Sequence, residues 1–249
     1  MPLINTKPTA RVVKPPKGIV YSMPGVGKST FAAQSAAPYV LDCENGLSTV
    51  YVHKTNETVP SSGYLDKWEN IQQYLAAFES EAHDRKTLVI DTLDWMIRRA
   101  EEHVSGDSLA STLNKSHGGY GNGKQVLRNY VYRVILPTLD RLVAKGVGVV
   151  LLAHCSRSTH MDADGIEIEK LAPDLPPDLL PTFMEWSDFI GFAHIDGKGK
   201  RMMTMRETDR AIAKSRYRGM PDTIPLEWDA LAYYINEAYS LKTEKKDTV

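Results

Sequence analysis

Hydrophobic positions fall into two patterns along the chain. Continuous short apolar runs at residues 18–22 (GIVYS), 38–42 (PYVLD), 86–91 (KTLVID) and 147–154 (VGVVLLAH) have the Val/Ile/Leu character of strands buried on both faces of a parallel sheet. Between them the spacing turns helical. Trp68, Ile71, Gln72, Leu75 and Phe78 predict a helix over residues 65–82, and residues 94–103 read the same way. Leu127, Tyr130, Val131, Val134, Leu139, Leu142 and Val143 form one further apolar face, on a helix that Pro137 is expected to kink. A small Ser/Ala-rich helix is predicted over 28–36, halted by Pro38, and another over 179–186. Residues 44–52 read as a loop with an additional strand, and 58–63 as turn material.

Other segments carry punctuation rather than period. Five glycines and several small polar residues between 104 and 124 predict a mobile loop. Residues 157–171 suggest a hairpin around Asp164-Gly165, and the turn Gly197-Lys198-Gly199 joins two late strands, 189–196 and 201–207. Strand and helix alternate first, and antiparallel strands close the chain. That order predicts a three-layer α/β domain over residues 18–240 with a mainly parallel sheet. Residues 1–17, with four prolines and four Lys/Arg, read as an extended arm, and 241–249 as a polar tail.

Composition narrows the function classes. The 249 residues suffice for one large domain, with 42% apolar and 24% charged residues. A formal net charge of -1 gives no global basic field, so any nucleic-acid contact must come from a local patch or an assembly. Two cysteines, Cys43 and Cys155, are too few for a disulfide framework and fit a reducing compartment. No apolar run is long enough to span a membrane, and the N-terminus lacks the core of a signal peptide. A cytoplasmic location is expected, the host cytoplasm if the gene is carried by a phage.

The chemistry begins after the first strand. Ser22-Met-Pro-Gly-Val-Gly-Lys-Ser29 follows the P-loop pattern G-x-x-x-x-G-K-[ST], with Ser22 in place of the first glycine. Such a loop wraps a triphosphate with backbone N–H groups. Gly25 and Gly27 supply the positive φ this requires, while Pro24, Val26 and Thr30 complete the cradle. Lys28 neutralises the β and γ oxygens, and the Ser29 hydroxyl is suited to Mg²⁺. ATP and Mg²⁺ are therefore the expected ligands. Asp91, closing the apolar run LVID, is the expected carboxylate on the magnesium side. Asp94 is a poorer candidate, expected to cap a helix or face solvent. A group that orients the attacking water is also needed; Thr92 stands where many ATPases carry glutamate, which leaves Glu44, just past the second strand. Asn114-Lys115 is not followed by the aspartate that reads guanine, and the cysteines and histidines show no zinc spacing.

These motifs together resemble the RecA-like P-loop ATPases, and most of all the short phage single-strand-annealing recombinases (Sak-type) with an AAA-type ATP-binding core. Leu41-Asp42-Cys43-Glu44 is similar to the strand-end segment that carries the catalytic glutamate there, and LVIDT to the magnesium-binding strand. The resemblance implies a polar γ-phosphate sensor at the end of the next strand, which here is His154. It also implies a basic K-x-R device that enters a neighbouring subunit's ATP, which Lys214 and Arg216 match. Two DNA-binding loops are implied, with Lys115, Tyr120 and Lys124 in the first and Arg157 in the second. The implied partners are single-stranded DNA, further copies of the chain in a ring or filament with the N-terminal arm docked on the next subunit, and a single-strand-binding protein. The implied activity is DNA-dependent ATP hydrolysis promoting annealing or strand pairing. Three alternatives share the motifs: a helicase or helicase loader of the same superfamily, a P-loop small-molecule kinase with Lys214 and Arg216 clamping phosphates in cis, and a nucleotide-switched assembly module that does not hydrolyse ATP.

Overall fold

A computed structural model describes residues 13–52, 55–106, 112–161, 165 and 167–240. The apolar runs become the centre of a large sheet: β1 (Lys17–Ser22), β2 (Pro38–Asp42), β6 (Thr87–Asp91) and the first half of β7 (Gly148–Met161). Strand order is β12-β10-β9-β1-β7-β6-β2-β5, where β5 is Ser61–Tyr64, β9 Phe189–Ile195, β10 Arg201–Thr204 and β12 Thr223–Pro225. The strands from β5 to β9 are parallel; β10 and β12 run antiparallel, as does the two-residue β11 (Lys214–Ser215) against β9. A separate ribbon pairs β3 (Tyr51–Val52) with β4 (Glu57–Thr58).

Side chains alternate across this sheet into two cores. Ile19, Leu41, Leu88, Ile90 and Leu151 pack against α2 (Trp68–Ser80), α3 (Leu93–Ser105), α4 (Asn122–Tyr130), α5 (Leu136–Ala144) and α6 (Leu180–Trp186). Val20, Val40, Val89, Val150 and Leu152 pack on the other face against α1 (Lys28–Ala33) and α7 (Trp228–Ser240). The expected three-layer α/β architecture with a mainly parallel sheet and antiparallel strands at its C-terminal end is therefore present. Burial on both faces explains why β6 is apolar throughout, with every residue from Thr87 to Asp91 buried.

Several local expectations are corrected. Residues 58–63 are not a simple turn: β5 forms there and pairs with β2, an edge strand whose polar sequence SSGY hides it. The glycine-rich segment ends earlier than expected, because α4 starts at Asn122. Residues 112–121 form a succession of bonded turns, with positive φ at His117, Gly118, Gly119, Tyr120 and Gly121; residues 107–111 lie outside the described residues. Pro137 does not kink an α-helix. A π-helical turn at Val131–Ile135 joins α4 to α5 and places the proline in the first turn of α5, where its missing N–H costs little. The first helix stops at Ala33 instead of residue 36. At the end of the segment expected to form an arm, Pro16 O accepts from Val149 N at 2.8 Å and β1 begins at Lys17; residues 1–12, and the polar tail 241–249, lie outside the described residues. The hairpin is present, and longer: β7 runs on unbroken past the sheet and pairs with β8 (Glu167–Pro173), while residues 162–164 and 166 lie outside the described residues. No described helix is long and apolar enough to cross a membrane.

Candidate nucleotide site

Parallel strands point their C-terminal ends at one edge of the sheet, and the chemistry collects there. Ser22 at the end of β1 is in register with His154 on β7, and Asp42 at the end of β2 with Asp91 at the end of β6. The loop from Ser22 to α1 turns on two glycines in the left-handed half of the backbone map, Gly25 (φ 79°) and Gly27 (φ 110°). A β-carbon on Gly25 would meet nothing within 4 Å, so the glycine serves conformation and leaves open space over the loop. Gly27 precedes α1 without a side-chain cap, which leaves the first N–H groups of the helix for a ligand. Val26 anchors the loop in the core, Pro24 is exposed at its tip, and Thr30 faces outward from the first turn of α1.

Lys28 is buried beneath this loop. Its Nζ donates to Ser22 Oγ at 3.2 Å and to Ser22 O at 3.4 Å, and Ser22 Oγ in turn donates to Met23 O at 2.7 Å. The serine at the position usually held by glycine thus supplies a partner for the lysine. Burial pulls the Lys28 ammonium below its usual range, and the carboxylates of Asp91, Glu44 and Asp94 oppose that pull. Asp91 is buried against them. Desolvation pushes its carboxyl up to about 6, a rise that the Ser29 hydrogen bond and Lys28 reduce and Glu44 reinforces. A buried acid already bonded to Ser29 fits the carboxylate side of a magnesium site. No cluster of three or more metal-ligating side chains exists among the described residues. Mg²⁺ would accordingly be shared between Ser29, Asp91, water and phosphate oxygens, which is how this cation is usually held.

Glu44 stands just past β2. Asp42 fixes the turn beneath it, its Oδ1 accepting from the N–H groups of Glu44 (3.2 Å), Asn45 (2.6 Å) and Gly46 (3.3 Å), with Asn45 at φ 65°. The glutamate side chain, about a third exposed, meets His154 Nε2 at 3.3 Å. Asp94 holds the same histidine from behind, accepting from its backbone N–H at 3.0 Å and from Nδ1 at 2.8 Å. Asp94 is thus neither a solvent-facing residue nor a simple cap: its side chain is 3% exposed. Hydrogen bonds to Asp94 and Glu44 lift the His154 imidazole from 6.5 to about 10, against the cost of burial, so the ring is an imidazolium at neutral pH. The sequence around Asp94 gives no sign of this, because its partner lies 60 residues away.

One wall of the site carries no motif. A cavity of about 930 Å³ opens beside α1, lined by Gly27, Thr30, Phe31, Gln34, Arg201 and Trp228 among others. Gly27 and Thr30 belong also to the phosphate loop, so the cavity continues the space over that loop, and its size suits a nucleoside. The Arg201 side chain reaches across Gly27, with Nε 3.4 Å from where a β-carbon would stand. Trp228, the first residue of α7, stacks at an angle on Phe31 with centroids 5.6 Å apart.

Lys214 and Arg216 lie elsewhere. Lys214 is the register partner of Ile190, which pairs with Ile19 near the start of β1; the two cations therefore sit toward the sheet end opposite the phosphate loop, about 10 Å or more along the strands from Ser22. Lys214 Nζ donates to Met184 O; Arg216 donates to Asp188 Oδ1 at 3.2 Å and to Glu185 O at 2.5 Å. Neither side chain stands at the phosphate loop of its own chain. Of the residues expected at DNA, Lys115 and Lys124 are exposed, Tyr120 is fully exposed on its glycine turn, and Arg157 pairs with Glu169 at 3.0 Å across the β7–β8 hairpin.

A family model described as an AAA domain matches residues 14–217. No curated protein sequence matches the chain. Among solved structures, one described as an ATPase domain is similar at 14% identity, with 84% of this chain and 80% of that chain covered and a TM-score of 0.46.

Proposed function

The chain belongs to the AAA domain family, and from that premise we propose that it binds MgATP at the Ser22–Thr30 loop and hydrolyses it in a cycle coupled to single-stranded DNA. One observation carries the hydrolytic reading: a buried lysine, a buried magnesium-side carboxylate and a partly exposed glutamate stand together at the end of one sheet. Lys28 and the α1 N–H groups bind and neutralise the phosphates. Ser29 and Asp91 hold the cation, which supplies Lewis-acid polarisation of the γ-phosphoryl group when bound. Glu44 orients and deprotonates the attacking water, and the Arg201–Trp228 cavity takes the nucleoside.

The DNA-directed part is supported by Tyr120, Lys115 and Lys124, a stacking ring and two cations on one glycine-rich turn and the helix that follows it. Lys214 and Arg216 act, in this reading, on the ATP of a neighbouring copy in a ring or filament. Recombinase-type annealing and helicase-type translocation use the same nucleotide chemistry. The test is ATP hydrolysis with and without single-stranded DNA, followed by annealing of complementary strands and unwinding of a forked duplex. Stimulation with annealing assigns a recombinase, and stimulation with directional unwinding assigns a helicase. Hydrolysis indifferent to DNA at low salt would overturn the DNA-coupled reading.

A further inference from the structure

Two aspartates close neighbouring strands at this edge of the sheet, and they are engaged differently. Asp91 is bonded by the Ser29 hydroxyl. Asp42, its register partner, is also buried but turns Oδ1 back on its own chain. Three successive N–H groups, those of Glu44, Asn45 and Gly46, reach that one oxygen. A carboxylate so occupied grips the main chain that carries Glu44. The grip fixes a position only if Asp42 is itself held.

The edge strand β5 holds it. Its pairing with β2 runs from Val40–Ser61 to Asp42–Tyr64, so Ser62 and Gly63 together stand opposite Leu41. This is a bulge, with Gly63 at φ 70°. On either side of it the bonds run backbone to backbone: Val40 N–H donates to Pro60 O at 2.9 Å, and Leu65 N–H donates to Asp42 O at 2.8 Å. At the bulge a side chain takes over. Ser62 Oγ accepts from the Asp42 N–H at 3.1 Å and donates to Gly63 O at 2.6 Å. On the other flank of β2, Cys43 N–H donates to Asp91 O at 2.7 Å. The end of β2 is thereby fixed from both neighbouring strands, and bulges beside reactive groups commonly re-aim a side chain.

We propose that Asp42, seated by Ser62 in the β5 bulge, is a positioning residue for the Glu44 carboxylate and takes no part in holding the cation. Glu44 lies two residues beyond Asp42, so a loosened strand end displaces it directly. A misplacement of about 1 Å in a reacting group costs about a hundredfold in rate. The inference rests on the reading of Glu44 as the base of a MgATP site. It adds to that site's geometry an edge strand that carries no motif.

The test combines single-turnover ATP hydrolysis with equilibrium binding of a fluorescent non-hydrolysable ATP analogue across a Mg²⁺ titration, in the full chain. Asp42→Ala should slow hydrolysis by about ten- to a hundredfold. Asp42→Asn keeps an oxygen acceptor and should recover much of that loss. Ser62→Ala, which removes one hydrogen-bond acceptor, should slow hydrolysis by about two- to fivefold. Analogue affinity and the Mg²⁺ requirement should stay within about twofold of wild type in all three. In a Glu44→Gln background each substitution should cost less than about twofold, because the carboxylate it positions is gone. Full-sized losses in that background overturn the positioning role, as does a wild-type rate in Asp42→Ala. A raised Mg²⁺ requirement in Asp42→Ala overturns it too, by placing Asp42 on the cation. If Asp42→Ala does not fold, Asp42→Asn and Ser62→Ala carry the same cycle. Hydrolysis by Glu44→Gln at the wild-type rate would sink the reading of Glu44 as base, whereas a slow Glu44→Gln with undiminished further losses sinks this inference alone.

Discussion

Arg201 offers a quantitative test of where the nucleoside lies. Its side chain crosses Gly27 and lines the cavity with Phe31 and Trp228, and no ion pair holds it among the described residues. Replacement by alanine removes a cation without opening the core, because the residue is exposed. A guanidinium stacked on a purine is worth about 0.5–1 kcal/mol at an exposed site and about 2 kcal/mol when desolvated. The cavity is open and the arginine exposed, so the lower half applies, and about 1 kcal/mol corresponds to roughly fivefold in affinity. Arg201→Ala should therefore weaken ATP and ADP by about three- to tenfold. Inorganic triphosphate with Mg²⁺, competing for the same loop, should lose less than twofold. Equilibrium titration of a fluorescent nucleotide, with competition by ATP, ADP and triphosphate, separates the two. Equal losses for ATP and triphosphate would refute the nucleoside placement and put Arg201 on the phosphates. No loss for either would remove it from the site.

Other outcomes follow from the same edge of the sheet. Ser22→Gly restores the common loop pattern but takes a partner from buried Lys28, so the free protein should lose about 1–2 kcal/mol in urea unfolding, with the deficit narrowing in saturating MgATP, where phosphate replaces the serine. His154 has its folded pKa raised from 6.5 to about 10, so its stabilising contribution is complete below pH 6.5 and is lost as pH rises through 10. The stability advantage of wild type over His154→Gln should shrink between those limits, as read by urea unfolding at pH 6, 8 and 10; a constant difference would contradict the imidazolium. Arg216→Ala should leave nucleotide binding by the isolated chain intact and lower hydrolysis only at protein concentrations that support assembly, as light scattering and ATPase titrations would reveal.

Much of this site was legible in the sequence because its parts are local. The phosphate loop, Asp91 and Glu44 each sit at the end of an apolar run, and a parallel sheet brings such ends to one edge whatever the intervening length. What remained hidden was long-range or weakly patterned. Asp94 sits in the first turn of α3 and looks like any acidic helix-start residue until β7 brings His154 against it. β5 has no apolar alternation because it is an edge strand, its Ser61–Tyr64 residues half-buried or exposed. The helix α7 carries Trp228, Leu231 and Ile235 on one face, a spacing that could have revealed it and with it a wall of the cavity beside α1. Arg201 reads as an ordinary cation of a late hairpin; only the antiparallel return of β10 along β9, with Arg201 opposite Ile195, brings it back to the loop.

The central claim, that Glu44 serves as the base of a MgATP site built on Lys28, is tested most directly by measuring nucleotide binding and single-turnover ATP hydrolysis together in wild type, Lys28→Ala and Glu44→Gln. Lys28→Ala should lose binding. Glu44→Gln should bind MgATP as wild type does and hydrolyse it about 10²- to 10⁴-fold more slowly, the contribution of a positioned base. Hydrolysis by Glu44→Gln at the wild-type rate would contradict the account.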